Sequence, residues 1–574
     1  MLSFYEYASH KRITELLIKE RIKIALDSKL CDVKTEDIPR KVEGGEHLSI
    51  TEFVFTLMPP RNSWVRPAPN SRRKRDSKEL KTKKQILTRA LALTIKKHRR
   101  TPELYPYLER LDSYIAYLRG LILSTTPLTF RSIRIVGQHK KFSNKVEILR
   151  PLCLFEDLTE KLLVSLANRY LREAFDPLLH EEILSYRPLR IYHNSTEPVI
   201  TNRDNAIENL QQFRALHRKM YVAECDIQKY FDTINHDVVR RCFGEFARRL
   251  KEKHPDFDYT SVGRIVDAYL DSYSFYNNVV VLNDDLMRKN PPQCYEEPKR
   301  DLFISRGCYT EQEFAASQSK IGVPQGGALS SLISNVVLST IDCESVLKRP
   351  DKNRYFCRYG DDIMLIHTSK ERCQQLIADY CAALTTNKLL YHDFVSVADG
   401  KYRYSDGTVR PALWNLKSRS PFLWGRSADE KESVDWIGFL GYEVRYTGEV
   451  RLRRSTLDDK FKRIKRTYYS GAKTKMANGE REFKKNRPIE SYISRYIDCF
   501  AGEGLSGSPC LTKNKFTITQ AKKLNQYTSS WLYRLIYKIA RNNNLSKEDV
   551  EKWWQYAKEK GCMNYIKTIE LRKK

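Results

Sequence analysis

The segment Tyr359-Gly360-Asp361-Asp362 lies between two short apolar runs, 355–357 and 363–366. Apolar runs separated by a turn sequence predict a β-hairpin, so the two acids should occupy its tip. Adjacent carboxylates repel each other unless a cation neutralises them, and Mg²⁺ binds through one or two carboxylates together with substrate phosphates. Gly-Asp-Asp is also ordinary turn chemistry. The segment alone therefore predicts a hairpin and leaves open whether its tip binds a metal ion.

Two further segments favour the metal-binding alternative. A β-prone run over 220–226 ends in Asp226 and is soon followed by the aromatic pair Tyr230-Phe231. Farther on, the glycine-containing run 321–331 leads into an apolar, helix-like stretch over 332–341. In this order and spacing the three segments resemble motifs A, B and C of reverse transcriptases. The resemblance is closest to the prokaryotic group that contains the group II intron, retron and phage-defence enzymes.

The resemblance extends on both sides of these motifs. Upstream, Arg150-Pro151-Leu152 and Ser185-Tyr186-Arg187-Pro188 look like fingers motifs, and downstream 436–442 looks like the hairpin that grips a primer. The implied fold is an α+β right-hand polymerase with an RRM-like palm, fingers, an α-helical thumb and a mixed N-terminal extension. The implied divisions are a basic, unassigned extension, fingers, a palm with a fingers-side insertion at about 241–320, and a thumb, over 1–145, 146–220, 221–450 and 451–574.

Several positions depart from the pattern of intron enzymes. Leu158 stands where an arginine is common, Ser331 where a proline usually follows the serine of motif B, and Gly360 where alanine is frequent. Lys388 is the candidate for the lysine that protonates pyrophosphate in relatives. Together with the long insertion, these departures favour a specialised lineage, most like the defence-associated and abortive-infection enzymes.

Composition agrees with a nucleic-acid enzyme. The 574-residue chain has a formal net charge of +30, which implies a polyanionic partner. Its 13 cysteines include no Cys-x-x-Cys pair and no zinc-finger spacing, so we expect buried, reduced thiols. The N-terminus has no apolar signal segment and no stretch reads as a membrane span. The sequence therefore predicts a cytoplasmic protein without a membrane partner.

Nucleotide addition to a 3′ hydroxyl is an in-line phosphoryl displacement, and two Mg²⁺ ions can stabilise both the attacking and the leaving oxygen. Carboxylates from separate strands must then converge. By the resemblance, Asp226 and Asp361 bridge two Mg²⁺ ions, the Ile227 carbonyl assists as a backbone ligand, and Asp362 supports the site. Mn²⁺ is expected to substitute for Mg²⁺. Asp232 is expected to be structural or to start a helix.

The expected product is DNA. Gly-Asp-Asp also marks viral RNA-dependent RNA polymerases, in which the fifth residue after the first acid is typically an aspartate that helps admit a ribose 2′ hydroxyl. Here that residue is Phe231, which would crowd the hydroxyl and leave it without a hydrogen-bond partner. Gln325 and Gly326 match the reverse-transcriptase form of motif B and are expected to approach the nucleotide.

Other contacts to substrate follow from the resemblance alone. Arg150 and Arg187 match fingers positions that face the incoming triphosphate, and a guanidinium donates to phosphate in a fixed fork. Either could instead be a surface arginine. Phe439, Leu440 and Gly441 are expected to form the primer grip.

The basic segment 72–100 contains 13 Lys and Arg residues. Part of it, 83–97, has apolar residues at helical spacing and predicts a basic amphipathic helix. Such a dense charge of one sign favours contact with an RNA backbone, with a solvated helix face as the alternative. The residues proposed for RNA contact are Arg72, Arg73, Lys74 and Arg75.

The C-terminal 120 residues read as helical. Trp531, Leu532 and Ile539 fall on one helical face, and Trp553-Trp554 favours helix packing over base stacking. Position in the chain is typical of a thumb that holds a product duplex.

The sequence thus predicts a Mg²⁺-dependent reverse transcriptase of bacterial antiviral defence that copies a dedicated RNA. Its expected partners are a cognate non-coding RNA template, the DNA product and dNTPs, with a second copy or an accessory defence protein left open. One alternative is a group II intron or retron enzyme. Another is an RNA-binding scaffold with an inactive polymerase core, against which the intact Asp226, Asp361 and Asp362 argue.

Overall fold

A computed structural model describes residues 2–26, 49–67, 83–131, 133–187, 190–191, 199–200, 203–396, 401–403, 409–411, 417–427, 432–472, 482–483, 487–488, 493–494, 496–497, 499–500 and 515–559. The chain forms two compact units. The first unit contains Met1–Ile200, Ile227–Lys348 and Tyr380–Tyr391, and the second contains Thr201–Asp226, Arg349–Asp379 and His392–Lys574. The chain therefore alternates between the units, and the four domain boundaries expected from the sequence stay a prediction.

The described α-helices are, in chain order, α1 Phe4–Tyr7, α2 His10–Leu26, α3 Ile50–Leu57, α4 Lys83–His98, α5 Tyr107–Leu123, α6 Leu158–Phe175, α7 Arg203–Leu216, α8 Tyr230–Thr233, α9 His236–Lys253, α10 Thr260–Asp271, α11 Phe275–Asn278, α12 Asn283–Met287, α13 Arg300–Ser305, α14 Glu311–Ser317, α15 Ser330–Glu344, α16 Lys370–Thr386, α17 Arg454–Ala472, α18 Lys515–Asn542 and α19 Lys547–Glu559.

The described strands are β1 Arg134–Ser143, β2 Val146–Leu154, β3 Arg190–Ile191, β4 Val199–Ile200, β5 Tyr221–Asp226, β6 Gln293–Tyr295, β7 Arg354–Tyr359, β8 Asp362–His367, β9 Phe394–Val395, β10 Lys401–Arg403, β11 Val409–Pro411, β12 Ser418–Trp424, β13 Ser433–Val434, β14 Trp436–Phe439, β15 Tyr442–Arg445, β16 Val450–Leu452, β17 Glu482–Phe483 and β18 Arg487–Pro488. Helices and an antiparallel-rich sheet together confirm the α+β class.

The N-terminal part of the first unit is helical. Helix α1 begins at a capping box: the Ser3 side chain accepts a hydrogen bond from the Glu6 N–H, and the Glu6 carboxylate accepts one from the Ser3 N–H. These two bonds satisfy donors that a helix start leaves unpaired. Helix α4 confirms the basic amphipathic helix predicted there, because Leu91 and Ile95 are buried while Lys84, Lys96 and Lys97 are exposed.

The rest of the first unit combines a small sheet with packed helices. Strands β1 and β2 form an antiparallel hairpin, and β6, from the predicted insertion, adds to β2 in parallel. Helix α15 follows motif B and packs on α9. Its buried face includes Leu332, Ile333 and Val336, which explains why that stretch reads as apolar throughout.

A sheet with β5 at its centre forms the core of the second unit. The strand order is β13-β12-β5-β8-β7, and β9 pairs with β12. Strands β5 and β8 run antiparallel, as do β7 and β8. The strand predicted over 220–226 and the hairpin predicted around Gly360-Asp361 are both confirmed.

A second, three-stranded sheet of the order β14-β15-β16 leads into the C-terminal helices. The apolar face predicted for α18 is confirmed: Leu532, Leu535 and Ile539 are fully buried in a cluster shared with α17 and α19. Trp553 and Trp554 are partly buried against this cluster, as the packing interpretation predicted. No helix of the part of the chain that the structure describes is long and apolar enough to cross a membrane.

Candidate active site

The paired strands of the second unit bring three aspartates together. In the β5–β8 register Asp226 lies directly opposite Asp362, and Cys225 opposite Ile363. Asp361 precedes Asp362 in the tight turn between β7 and β8, where Gly360 has a φ of +74° that a larger residue would adopt only at a cost. The local fold therefore brings three acids, from two distant parts of the sequence, into one group.

A cavity of about 560 Å³ opens at two of these acids. Asp226 and Asp362 line it, together with the 438–441 segment of the β14–β15 hairpin. Loss of water around Asp362, followed by the negative charges of Asp361 and Asp226, raises the pKa of Asp362 to about 6. Asp362 is exposed to solvent in the folded chain. A cation bound beside it would remove the second cause of the raised pKa, which is the repulsion by Asp361 and Asp226.

Lys417 supplies a positive charge at the same place. Its Nζ lies 2.9 Å from Asp226 Oδ2, and His392 Nε2 lies 3.4 Å from the same oxygen. Burial lowers the pKa of Lys417, but the hydrogen bond to Asp226 and the charges of the other aspartates outweigh it and leave the pKa raised. An ammonium thus occupies one of the positions at which the carboxylates can accept a cation.

The carboxylates of this site suit a divalent cation that takes only some of its ligands from the protein. Within the described ranges, no three His, Cys, Asp or Glu side chains form a ready metal cage. Mg²⁺ typically takes one or two carboxylates and completes its shell with water and substrate phosphates. Asp226 and Asp361 are the residues that would hold it. Ile227 continues the chain from Asp226 and pairs with Tyr391 in an isolated bridge, and its carbonyl stays a predicted ligand.

The hairpin that resembles a primer grip carries a strained tip. Strands β14 and β15 pair from Trp436 opposite Arg445 to Phe439 opposite Tyr442, which leaves Leu440 and Gly441 as a two-residue turn. Both have positive φ, +50° and +86°, and for a bulky residue such as Leu440 this is costly. Phe439, Leu440 and Gly441 line the cavity of the aspartates. The structure thus brings these three predicted residues to the predicted carboxylates.

A narrow cavity in the first unit gathers several other predicted residues. Its lining includes Arg150, Gln325, Lys229 and Asp232. Gln325 Nε2 donates to Asp232 Oδ1 at 2.6 Å, and the Gln325 carbonyl accepts from the Cys153 N–H. Gln325 is therefore engaged within its own unit, and its contact with a nucleotide stays a prediction.

Asp232 is buried and does not start a helix. Burial raises its pKa to about 6, opposed by the Gln325 hydrogen bond and the charge of Lys229. Of its two expected roles, the structural one is supported, because α8 begins after Lys229 rather than at Asp232. Gly326 has a φ of +88°, so a side chain there would be strained.

Phe231 lies on α8 and is half-buried. Its ring is 5.3 Å from that of Tyr230, and its carbonyl accepts from the Val323 N–H at 2.8 Å. The backbone of the predicted sugar gate is thus fixed to motif B, while part of its ring remains accessible.

Arg187, predicted to face the incoming triphosphate, lies in a buried ion pair. Its side chain is 5% exposed and forms an ion pair with Asp176, with Nε 3.1 Å from Oδ1. Nη1 donates to the carbonyl of His180, and Nη2 to that of Asp176. The guanidinium is thus committed to its own fold instead of lining a cavity with Arg150. The sequence alone could not distinguish contact with a substrate phosphate from an ion pair within the fold, since both use the fork of donors on an arginine.

The structure also places two lysines that bear on the chemistry. Lys388, the candidate for protonating pyrophosphate, lies in the first unit beside Glu313 and over the Tyr309 ring. Lys417, which sequence reasoning missed, is the lysine that contacts Asp226. No spacing rule links it to motif A, so only the pairing of β12 with β5 could have found it. The proposed RNA contacts Arg72, Arg73, Lys74 and Arg75 lie outside the described residues.

Comparison with known proteins identifies part of this arrangement. Residues 267–393 match the family described as reverse transcriptase (RNA-dependent DNA polymerase). The matched stretch includes Gln325, Asp361 and Asp362. No curated protein matches the sequence. The chain therefore carries the domain of an RNA-directed DNA polymerase.

Solved telomerase structures are distantly similar. Apo telomerase from Candida tropicalis has 12% identity and a TM-score of 0.35, covering 77% of this chain and 65% of that one. Telomerase from Candida albicans with a TWJ fragment of telomeric RNA has 12% identity and a TM-score of 0.31, with coverages of 81% and 68%. This chain thus spans about two thirds of their length. Likeness this distant does not distinguish branches of the family, and assignment to the prokaryotic group stays a prediction.

Proposed function

We propose that this chain, whose residues 267–393 match a reverse transcriptase domain, uses Mg²⁺ to synthesise DNA on a dedicated RNA template. The observation that carries the proposal is the register of β5 and β8, which sets Asp226 opposite Asp362 with Asp361 in the adjacent turn. The same cavity contains the tip of the β14–β15 hairpin, where a primer end can be held. Carboxylates and a hairpin tip around one cavity suit extension of a nucleic-acid end.

The residues divide the chemistry among them. Asp226 and Asp361 would hold the ions, and bound Mg²⁺ would stabilise the attacking 3′ oxygen and the leaving pyrophosphate. Lys417, whose Nζ contacts Asp226, would be the residue that donates a proton to the leaving pyrophosphate. Arg150 would bind the triphosphate through its guanidinium. Phe231 would exclude the ribose 2′ hydroxyl and so select deoxynucleotides.

The biological role that we propose is bacterial antiviral defence in the cytoplasm. Support comes from the departures at Leu158, Ser331 and Gly360, and from the insertion whose strand β6 extends the sheet of β1 and β2. A group II intron or retron enzyme would share the chemistry, and a neighbouring intron or retron RNA gene would reveal it. An RNA-binding scaffold without activity is the alternative of another class.

Two measurements test these levels separately. Primer extension on poly(rA)·oligo(dT) with Mg²⁺ and dTTP tests the chemistry, and incorporation that Asp361→Asn abolishes supports it. A wild-type chain that binds RNA but extends no primer would favour the scaffold. Phage plating on bacteria that express wild-type or Asp361→Asn chain tests the role, since only active enzyme should reduce plaque number. Equal plating on both, with active enzyme, would remove the defence proposal and keep the polymerase.

A further inference from the structure

A second set of charges lines the cavity that contains Asp226 and Asp362. Glu224 precedes Asp226 by two residues on β5, so their side chains leave the same face of the strand. Arg419 lies directly opposite Glu224 on β12, and its Nη1 donates to Glu224 Oε2. The side chain of Glu224 is 14% exposed and that of Arg419 is 6% exposed. The strand that carries Asp226 is therefore fixed to β12 by a buried ion pair.

Arg453 brings a second positive charge to the same carboxylate. The charges of Arg419 and then Arg453 both act on the Glu224 carboxylate. Arg453 also lines the cavity. A buried ion pair contributes little net stability compared with apolar residues of the same volume, because its desolvation offsets its attraction. Stability of the fold alone is therefore a weak reason for placing three charges here.

The backbone of Arg453 connects this charge cluster to the hairpin tip. Its N–H donates to the Gly441 carbonyl at 2.9 Å, and Thr456 Oγ1 donates to the same oxygen at 3.2 Å. Gly441 is the second residue of the turn that begins at the strained Leu440. Arg453 stands between the end of β16 and the start of α17. One residue thus holds the turn through its backbone and acts on Glu224 through its side chain.

We propose that Glu224, Arg419 and Arg453 form a positioning triad that fixes the tip of the β14–β15 hairpin relative to Asp226. This inference rests on the proposed function, in which the primer end lies between that tip and the carboxylates. Glu224 neutralises two arginines that would otherwise repel each other. Removal of its charge lets Arg453 move, and the turn bonded to Arg453 moves with it. The triad acts on the alignment of the 3′ hydroxyl and touches neither nucleotide nor metal.

The chain offers a matched control for this role. Glu443 on β15 lies directly opposite Arg451 on β16, and Arg451 Nε donates to Glu443 Oε2 at 2.5 Å. Like Glu224 and Arg419, this is a cross-strand Glu–Arg pair with a buried glutamate. It lines a different cavity of about 670 Å³, beside Trp436, whose lining contains none of the three aspartates. Glu443→Gln therefore removes the charge of a buried, arginine-paired glutamate without changing the triad.

The experiment measures kcat and the KM for dTTP on poly(rA)·oligo(dT), with the full-length chain and with thermal unfolding as the stability readout. Glu224→Gln should lower kcat about 10-fold to 100-fold, as a misplacement on the ångström scale does, and leave the KM for dTTP within about twofold. Glu443→Gln should lower the melting temperature by a similar amount and leave kcat within about twofold. Arg453→Gln should repeat the Glu224→Gln effect, and the double variant should be no slower than either single one, because both break one link.

Each outcome decides the matter. A Glu224→Gln chain with unchanged kcat overturns the triad while wild-type activity preserves the proposed function. Equal loss of kcat in Glu224→Gln and Glu443→Gln also overturns it, since the effect is then one of general stability. If Glu224→Gln does not fold, Arg453→Gln tests the same link without touching the β5–β12 pair. A wild-type chain that extends no primer removes the proposed function, and the triad with it.

Discussion

The side-chain amide of Gln325 donates to the buried carboxylate of Asp232 at 2.6 Å. A residue expected to approach the nucleotide is therefore held by a neighbour that the sequence marks as structural. The contact ties motif B to the helix that carries Phe231, because Asp232 and Phe231 are consecutive on α8. The Asp232 carboxyl, a titratable group next to motif A, thereby holds the Gln325 side chain of motif B.

Asp232 should make stability depend on pH. Its pKa is about 6 when folded, against an ordinary value of 3.8, so the folded chain holds an extra proton between these limits. The free energy of unfolding should therefore fall as pH rises from about 4 to 6, by up to about 3 kcal/mol from this group. Asp232→Asn should remove that fall. Chemical denaturation across pH 4–8 measures it, with exposed Asp237→Asn as the control, and a pH-independent difference between Asp232→Asn and wild type would contradict it.

Substitutions of Arg150 and Arg187 should have different effects, the first on nucleotide binding and the second on stability. Arg187→Ala leaves Asp176 buried without its partner and should lower the free energy of unfolding by about 3–5 kcal/mol. Arg150→Ala should leave stability nearly unchanged and raise the KM for dNTP about 10-fold or more, the loss of one charge-assisted hydrogen bond. Denaturation and steady-state kinetics on both variants check this. A raised KM in a folded Arg187→Lys chain would restore Arg187 to the nucleotide site.

The metal site predicts a loss of chemistry without a loss of binding. Asp361→Asn should abolish nucleotide incorporation, because a neutral amide is a poor Mg²⁺ ligand, while RNA affinity stays within about twofold. Primer extension and filter binding measure the two effects. Asp237→Asn, at an exposed aspartate that pairs with Arg240 and Lys320 and does not line the cavity of Asp226, serves as the control. Retained polymerisation by Asp361→Asn would remove the assignment.

The sugar gate predicts a change in selectivity. Phe231→Ala opens space for a 2′ hydroxyl without changing a carboxylate, so the ratio of rNTP to dNTP incorporation should rise by about one to three decades, on the order of 1 to 4 kcal/mol. Competition between matched rNTPs and dNTPs on a primed RNA template measures it. Phe142→Ala, an exposed phenylalanine of the β1–β2 hairpin, is the control. A wild-type preference for rNTPs would argue against a DNA product.

The basic segment predicts a change in salt dependence. If Arg72, Arg73, Lys74 and Arg75 contact phosphates, neutralising all four should reduce the slope of log affinity against log salt by up to about 3, at roughly 0.7 per contact on a single strand. Fluorescence anisotropy with a single-stranded RNA at several salt concentrations measures it. Neutralising the exposed cations Arg248, Lys251 and Lys253 near the end of α9 is the control. An unchanged slope would return the segment to a solvated surface.

Local patterns predicted much of the fold and the carboxylates of the site. The strand ending in Asp226, the hairpin at Gly360-Asp361 and the face of α18 each depend on periodicity within a short segment. Partners from distant segments were not predictable in the same way. Glu224 and Arg419 pair across 195 residues of chain, and Arg187 finds Asp176 inside its own fold. A sequence shows that an arginine is present but not whether its partner is a substrate or another side chain.

The alternation of the chain between the two units has a consequence for its synthesis. The first unit needs Tyr380–Tyr391, and the second begins with Thr201–Asp226 but needs residues beyond His392. Neither unit can therefore close on the ribosome until about residue 391 has emerged, which at 5–20 residues per second takes roughly 20–80 s. Strand β5, which is apolar, must wait from its own synthesis until β12 has emerged before it can pair on that side, so nascent chains should depend on chaperones. For the same reason, neither unit can be expressed as one uninterrupted fragment of this sequence, and separating them would require rejoining three segments of chain for each unit.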